Sequence, residues 1–412
     1  MQSIDPQIPR LRADIRFSGF EEASSTRGRY LVEAGESCFA VSAEMYQLLL
    51  ALTKRPATLD ELTSDLNEMS GGQYTTETVA QLMESRIPPA LRDGQPDVPR
   101  RTPFLASVQL LSARTLHPLT SRLTWLFTRN VAIVTLTAFV IVMALSFREA
   151  SASIYGWSFS MRELVALYAG IALIGLIHEL GHATACFRYG CEHGGVGFGL
   201  YYIFPAFYAD VTKAWRLSPK QRAVIDLGGL YFNALTLIPL GICAMMTGNH
   251  VALRLTWITM FVMLQNLNPS FKLDGYWLFS DLSGLTNLHE RMAEAFARFG
   301  RRLFGRRNDE ALHTGLRAGL LRLYVAAVSI YALFIGSFLV GAIGSLIDTY
   351  PRRAAQIAAA LMNGVRLMAW GDVLLAAWRI VAISIWPLVL MAALSSFAFK
   401  LIRRGRKFAE EL

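Results

Sequence analysis

Two histidines four residues apart with a glutamate between them, His178-Glu179-Leu180-Gly181-His182, are the part of this chain best suited to chemistry. On a helix, positions i and i+4 share a face, so both imidazoles address one ion. Glu179 lies beside them, placed to take a proton from water rather than to bind the metal. The implied chemistry is zinc-assisted hydrolysis, with His178 and His182 as metal ligands and Glu179 as the catalytic residue. The chain has only 7 histidines in 412 residues. At that frequency a chance H-E-x-x-H arises about once in two hundred such chains. Polar residues bridging neighbouring helices are the plainer alternative, but bridging does not call for the glutamate.

A catalytic zinc takes three protein ligands and leaves one position open. Asp274 supplies the third candidate, in Asn266-Leu267-Asn268-Pro269-Ser270-Phe271-Lys272-Leu273-Asp274-Gly275-Tyr276-Trp277. There an apolar run is broken by asparagines and a proline, and a carboxylate at membrane depth is costly unless it meets a cation.

The elements that must position these residues are membrane helices. Hydrophobic residues make up 53% of the chain and charged residues 17%. Six apolar runs are near or above the spanning length of ~18 residues: Val131–Phe147, Leu164–Phe187, Val224–Met246, Leu255–Leu273, Leu320–Ile347 and Val373–Phe399. The expected fold is therefore mostly α, a polytopic helical membrane protein of about six transmembrane helices. The second run contains the histidine motif, which puts hydrolysis at or below the membrane surface. Net charge is +9, and the basic clusters at Arg100-Arg101, Lys213–Arg222, Arg298–Arg307 and Arg403–Lys407 fall on one side of a six-span topology. The positive-inside rule makes that side the cytoplasm, with both termini inside. These clusters are explained by topology and anionic lipid, so no nucleic-acid partner is expected. The N-terminus carries no apolar run, so the first span is expected to direct insertion. The 4 cysteines form no C-x-x-C pair, which excludes a zinc ribbon or a redox pair. Cys186 continues the His182 face but is expected to be a small residue at a helix contact.

Residues 1–95 are polar and read as a small soluble α+β domain, winged-helix-like. Arg29–Val41 gives two strands around a glycine turn. Ser42 caps a first helix, Thr58 with Glu61 opens a second, and Thr76–Ser85 gives a third. The turn Val32–Val41, Ser42-Ala43-Glu44-Met45 and Thr58-Leu59-Asp60-Glu61-Leu62 resemble the PqqD-like peptide-recognition domain. That resemblance implies a leader peptide adding a strand to the hairpin edge. A basic, proline-containing linker and juxtamembrane segment follows at 96–125.

His178, Glu179 and His182, with Asn266, Pro269, Asp274 and Gly275 as N-x-x-P-x-x-x-L-D-G, resemble the site-2 protease family of intramembrane zinc metalloproteases. Gly229-Leu230-Tyr231-Phe232-Asn233 is similar to that family's G-x-x-x-N element. With the front domain, the ensemble resembles peptide zinc metalloproteases found near peptide-maturation and export systems. The resemblance implies a catalytic membrane core at 126–290, followed by a basic cytoplasmic loop and C-terminal helices at 291–412. It implies Zn2+ held by His178, His182 and Asp274, and a bacterial inner (cell) membrane location. It also implies a peptide or transmembrane protein substrate in the lipid bilayer, with peptide-maturation or export proteins as partners. Asn233, Asn266 and Pro269 become candidates for substrate binding; the asparagines serve equally well as polar contacts between spans. Cleavage of a peptide or membrane-anchored precursor near the cytoplasmic face is expected. A non-proteolytic, leader-binding export scaffold with a structural zinc is the alternative.

Between the second and third runs, Cys191–Tyr202 alternates with glycines and is expected to form an extended hairpin. Its Val196–Phe198 strand is expected to be an edge that aligns substrate beside the zinc. His193 is expected to be a loop histidine, and Asp210 either caps the next segment or lines the site.

Overall fold

A computed structural model describes residues 8–20, 29–35, 37–72, 74–94, 104–153, 160–201, 204–285, 287–303 and 316–381. Among these the protein is mostly α-helical, with two small antiparallel sheets of three strands each. The chain divides into two compact units. One is Met1–Ala138, Gly175–Thr236 and Phe261–Val325; the other is Phe139–Ile174, Leu237–Met260 and Ala326–Leu412.

The first unit begins with β1 (Arg16–Phe20), β2 (Arg29–Ala34), β3 (Ser37–Ser42), α1 (Ala43–Thr53), α2 (Leu59–Ser70) and α3 (Thr76–Arg86). β2 and β3 form the expected hairpin, closed at Ala34↔Ser37 around Gly35, whose φ of 58° suits glycine. Ser42 caps α1 by accepting from the Met45 amide at 3.3 Å. Thr58 caps α2 by accepting from the Glu61 amide at 3.2 Å. The Glu61 carboxylate reaches back to the Ala57 amide, one residue ahead of the capping-box contact expected from the sequence. Val32, Leu48, Leu49, Leu62, Leu66 and Val79 form the core, each worth about 1.5–3 kcal/mol of burial. β1 escaped the sequence reading because a five-residue strand with polar neighbours carries little periodic signal.

Residues 104–123, within the expected linker and juxtamembrane segment, form a strand and a helix. β4 (Phe104–Leu111) leads into α4 (Ala113–Leu123), and β4 pairs with β5 (Val196–Tyr201), which pairs with β6 (Phe204–Ala209). The sheet order β4-β5-β6 corrects the expectation for Val196–Phe198: that strand is central, and the edges are β4 and β6. An added strand from 90 residues upstream in sequence cannot be read from local alternation.

The helices that follow are α5 (Arg129–Ser153), α6 (Met161–Arg188), α7 (Pro219–Asp226), α8 (Gly228–Thr247), α9 (His250–Asn266), α10 (Asp274–Ser283), α11 (Leu288–Leu303) and α12 (Leu316–Arg366), then a helix over 370–381. Four stretches are long and apolar enough to cross a membrane: Arg129–Phe147, Met161–Arg188, Pro219–Thr247 and Leu316–Phe338. Side chains such as Val134, Val140, Leu333 and Phe334 stand exposed, as lipid-facing residues do.

The count of about six is thus four among the described residues. The expected run Leu255–Leu273 is helical only as far as Asn266, where the 17-residue α9 stops, and is turn from there to Leu273. Pro269 has no N–H to continue it and disfavours helix in the residue before it. Asn268 instead accepts from the Ser270 amide at 2.9 Å, and a new helix starts at Asp274. The fifth run, Leu320–Ile347, does not end its helix: α12 runs 51 residues through Pro351, carried by the alanine-rich stretch after it. Most of the sixth run, Val373–Phe399, lies outside the described residues.

In the second unit, Leu167, Ile174 and Leu255 pack with Ile171, Leu240 and Ile258. Gly170 permits that packing, since a Cβ there would meet the Leu255 side chain at 2.5 Å.

Candidate metal centre

The candidate site lies within the first unit. α6 carries His178, Glu179 and His182, and α8 crosses it at backbone contact. A Cβ on Gly181 would lie 2.2 Å from the Gly228 carbonyl oxygen, and one on Gly228 would lie 2.7 Å from that of Gly181. Small residues at such a crossing let two helices approach where packing alone holds them. The next residue, Gly229, faces the imidazoles. Its missing Cβ would stand 2.5 Å from His178 Cε1, His178 Nε2 and His182 Nε2 alike.

α10 brings Asp274 to the same point. His178 Nε2 lies 3.1 Å from Asp274 Oδ2, and His182 Nε2 lies 3.5 Å from Asp274 Oδ1. The two Nε2 atoms are 3.1 Å apart. All three residues offer a ligand atom within one cluster, and both histidines are buried. A tetrahedral zinc with ligand bonds of about 2.0–2.1 Å has ligand–ligand edges of about 3.3 Å. The three separations are each near that edge length, with the two imidazoles facing different oxygens of the Asp274 carboxylate. Apart from the imidazole of His178, buried Asp274 Oδ2 has no polar partner, as befits an oxygen held for a cation.

The surrounding groups set the imidazole tautomers. His182 Nδ1 lies 2.7 Å from the Ile225 carbonyl, so this nitrogen donates its proton and Nε2 keeps its lone pair for the cluster. His178 Nδ1 lies 3.1 Å from the Asn233 amide, one turn beyond Gly229 on α8. Asn233 Oδ1 is buried with no other partner. Turning the amide over brings Oδ1 to the His178 Nδ1 proton and satisfies both groups. Asn233 therefore addresses a histidine of the cluster directly. Asn266, half-buried at the end of α9, and Pro269, in the turn before α10, belong to the connection that delivers Asp274. Among the described residues Asn266 makes no side-chain hydrogen bond to the cluster.

α7 and α10 are themselves clamped. Arg222 grips Asp281 through two nitrogens, the closest contact being 2.7 Å, with both side chains nearly excluded from solvent. The helix offering the Ile225 carbonyl is thereby tied to the helix offering Asp274. Sequence reading missed this clamp, since its members are 59 residues apart. It also missed Gly181, Gly228 and the Ile225 carbonyl as parts of the site.

The sheet meets the site at β6. Asp210 pairs inward, its amide donating to Gly195 O at 3.0 Å and its carbonyl accepting from the Gly194 amide at 2.6 Å. By alternation, Ala209 and Phe207 present their backbone groups to the free edge. The Ala209 backbone lies beside the Glu179 carboxylate. The Phe207 ring packs where a Cβ on Gly175 would stand at 2.7 Å, one helical turn before Glu179. Asp210 caps the following segment: it accepts from the Thr212 amide at 3.1 Å and hydroxyl at 2.7 Å. His193 is a buried structural residue, its Nε2 3.0 Å from the Thr120 hydroxyl. Cys186 is fully buried beside Ala185 and Ile225, as a contact residue should be.

No family model matches the chain, and no solved structure matches it. A protein of Bacillus subtilis (strain 168) named "Putative peptide zinc metalloprotease protein YydH" is 31% identical over 128 residues. That match covers 31% of this chain. The chain spans about half, 49%, of that relative's length.

Proposed function

We propose that this protein is an intramembrane zinc metalloendopeptidase of the site-2 protease type, cleaving a peptide or membrane-anchored precursor near the cytoplasmic face of a cell membrane. The observation that carries the reading is the triangle of His178 Nε2, His182 Nε2 and Asp274 at tetrahedral-edge distances with Glu179 on the same helix. The name of the Bacillus relative supports it.

In this reading His178, His182 and Asp274 hold the metal. Zinc, when bound, supplies a Lewis acid that polarises the scissile carbonyl and acidifies water. Glu179 accepts the proton from the attacking water and returns it to the leaving amine. The Ala209 backbone stands beside the Glu179 carboxylate, where its amide can orient the carboxylate for that transfer. The Ile225 carbonyl and Asn233 hold the two imidazoles at their far nitrogens. The free edge of β6 receives the substrate as an added strand, through the Phe207 amide and carbonyl and the Ala209 carbonyl. Extended backbone is what hydrolysis requires, because a helical peptide bond is shielded by its own turn. The front domain, residues 1–95, receives the leader segment of the precursor.

Zinc content and peptide cleavage, measured on detergent-purified chain, test this together. Wild type should hold about one zinc per chain, as a single three-ligand site requires. His178→Ala and Asp274→Ala should lose it. Glu179→Gln should keep the zinc and abolish cleavage. Zinc retained without Asp274, or cleavage surviving without Glu179, would defeat the reading.

A further inference from the structure

A cavity of about 970 Å³ lies between α4, the end of α6 and the end of β6. That is the upper end of the ~300–1,000 Å³ range of ligand clefts. Its floor is apolar and aromatic: His117 stacks edge-on against Phe187 at 5.0 Å, above buried Cys191 and His193. Its walls are basic. Arg114 from α4, Arg188 from the last residue of α6, and Lys213 all line it. Lys213 is engaged by Glu192, whose carboxyl it holds below the usual carboxylate range. Asp210 is turned to Thr212. Among the described residues neither Arg114 nor Arg188 has an acidic partner. With Lys213 paired to Glu192 and Asp210 the one other carboxylate in the wall, the cavity keeps an excess of positive charge carried by two guanidinium groups, the side chain best matched to a carboxylate by its fixed fork of donors.

The position of the cavity indicates its occupant. Gly35, the turn of the front-domain hairpin, forms part of the wall, and Glu33 on that hairpin is buried in an ion pair with Arg216. The cavity is therefore bounded by polar domain surface, unlike a groove between lipid-facing helices. Asp210, in its wall, directly follows Ala209, whose backbone lies beside Glu179. We infer that this cavity binds an acidic segment of the peptide substrate, with Arg114 and Arg188 gripping its carboxylates beside the β6 end of the catalytic cleft. The inference rests on the peptidase reading, and it narrows the substrate class to peptides with acidic residues flanking the cleaved bond.

The test uses the full chain with Glu179→Gln, in dodecylmaltoside, and fluorescein-labelled hexaglutamate read by anisotropy, with labelled hexaglutamine and hexalysine beside it. Hexaglutamate should bind best. Arg114→Gln and Arg188→Gln should each weaken it about tenfold, or about 1.4 kcal/mol, with zinc content unchanged. Arg114→Lys should fall between. Both arginines are exposed at the rim, so these variants should fold, and zinc content reports whether they do. Equal affinity for the three peptides, or unchanged hexaglutamate binding in both glutamine variants, overturns the inference. So does complete displacement by phosphatidylglycerol micelles or by millimolar inorganic phosphate, which would make the cavity a headgroup or phosphate site. Zinc absent from a chain that still binds hexaglutamate through these arginines would instead count against the metal reading alone.

Discussion

Gly229→Ala is the sharpest perturbation of the metal centre, because it changes no ligand and adds one methyl group. The added carbon would stand 2.5 Å from three imidazole atoms, where ordinary contact begins at 3.4 Å. The rings or α8 must yield by about 0.9 Å, and overpacking of this kind costs typically about 1–3 kcal/mol. A metal site tolerates only about 0.2 Å in its ligand distances. The strain therefore falls on zinc affinity, which should drop by about five- to a hundredfold, since each 1.4 kcal/mol is a factor of ten. Intrinsic helix propensity runs the other way and favours alanine by about 1 kcal/mol, so the apo protein should lose no more than about 2 kcal/mol of stability. Gly341→Ala is the control, since nothing stands within 4 Å of its added carbon. The assay is chelator competition for zinc, with apo-protein melting recorded in parallel. Wild-type zinc affinity in Gly229→Ala would refute the geometry from which the metal site is argued.

Asn233→Ala should weaken zinc about 10–100-fold, the usual effect of losing a group that orients a ligand histidine, while Asn233→Asp, which keeps an acceptor, should retain most of it; chelator competition reads both. Arg222→Met strands the buried Asp281 carboxylate and should cost about 3–5 kcal/mol, seen as a lowered melting temperature; adding Asp281→Leu should recover much of the loss. Ala209→Pro removes the amide beside Glu179 and keeps the inward β5–β6 ladder, so zinc should stay and cleavage fall; unchanged turnover would remove the Ala209–Glu179 contact from the mechanism. Thr58→Ala deletes the cap of α2 and should destabilise the front domain by about 1 kcal/mol, measurable by hydrogen exchange of α2 amides.

The donor set and its local spacing were legible in the chain. His178 and His182 share a helical face because the helix repeats every 3.6 residues, whatever surrounds it. Asp274 was singled out because Pro269 and its asparagines break an apolar run, and that break does separate α9 from α10. The front-end hairpin and its three capped helices were likewise written in short-range signals. Apolar length identified four spans among the described residues, but misjudged the fourth run, where a proline outweighs hydropathy.

What the tertiary structure alone decided are the long-range pairings. Gly181 and Gly228 read as unremarkable glycines until their helices cross at backbone contact. Arg222 and Asp281 are two more charges until α7 meets α10. Alternation told that Val196–Tyr201 is a strand, yet only the arrival of β4 made it central and left β6 as the edge facing Glu179. Periodicity is set by a residue and its neighbours within a turn or a pleat, so it survives in one dimension. Which elements then touch depends on side-chain volumes meeting across dozens of residues, where a missing Cβ decides whether an imidazole pair and a carboxylate reach one another.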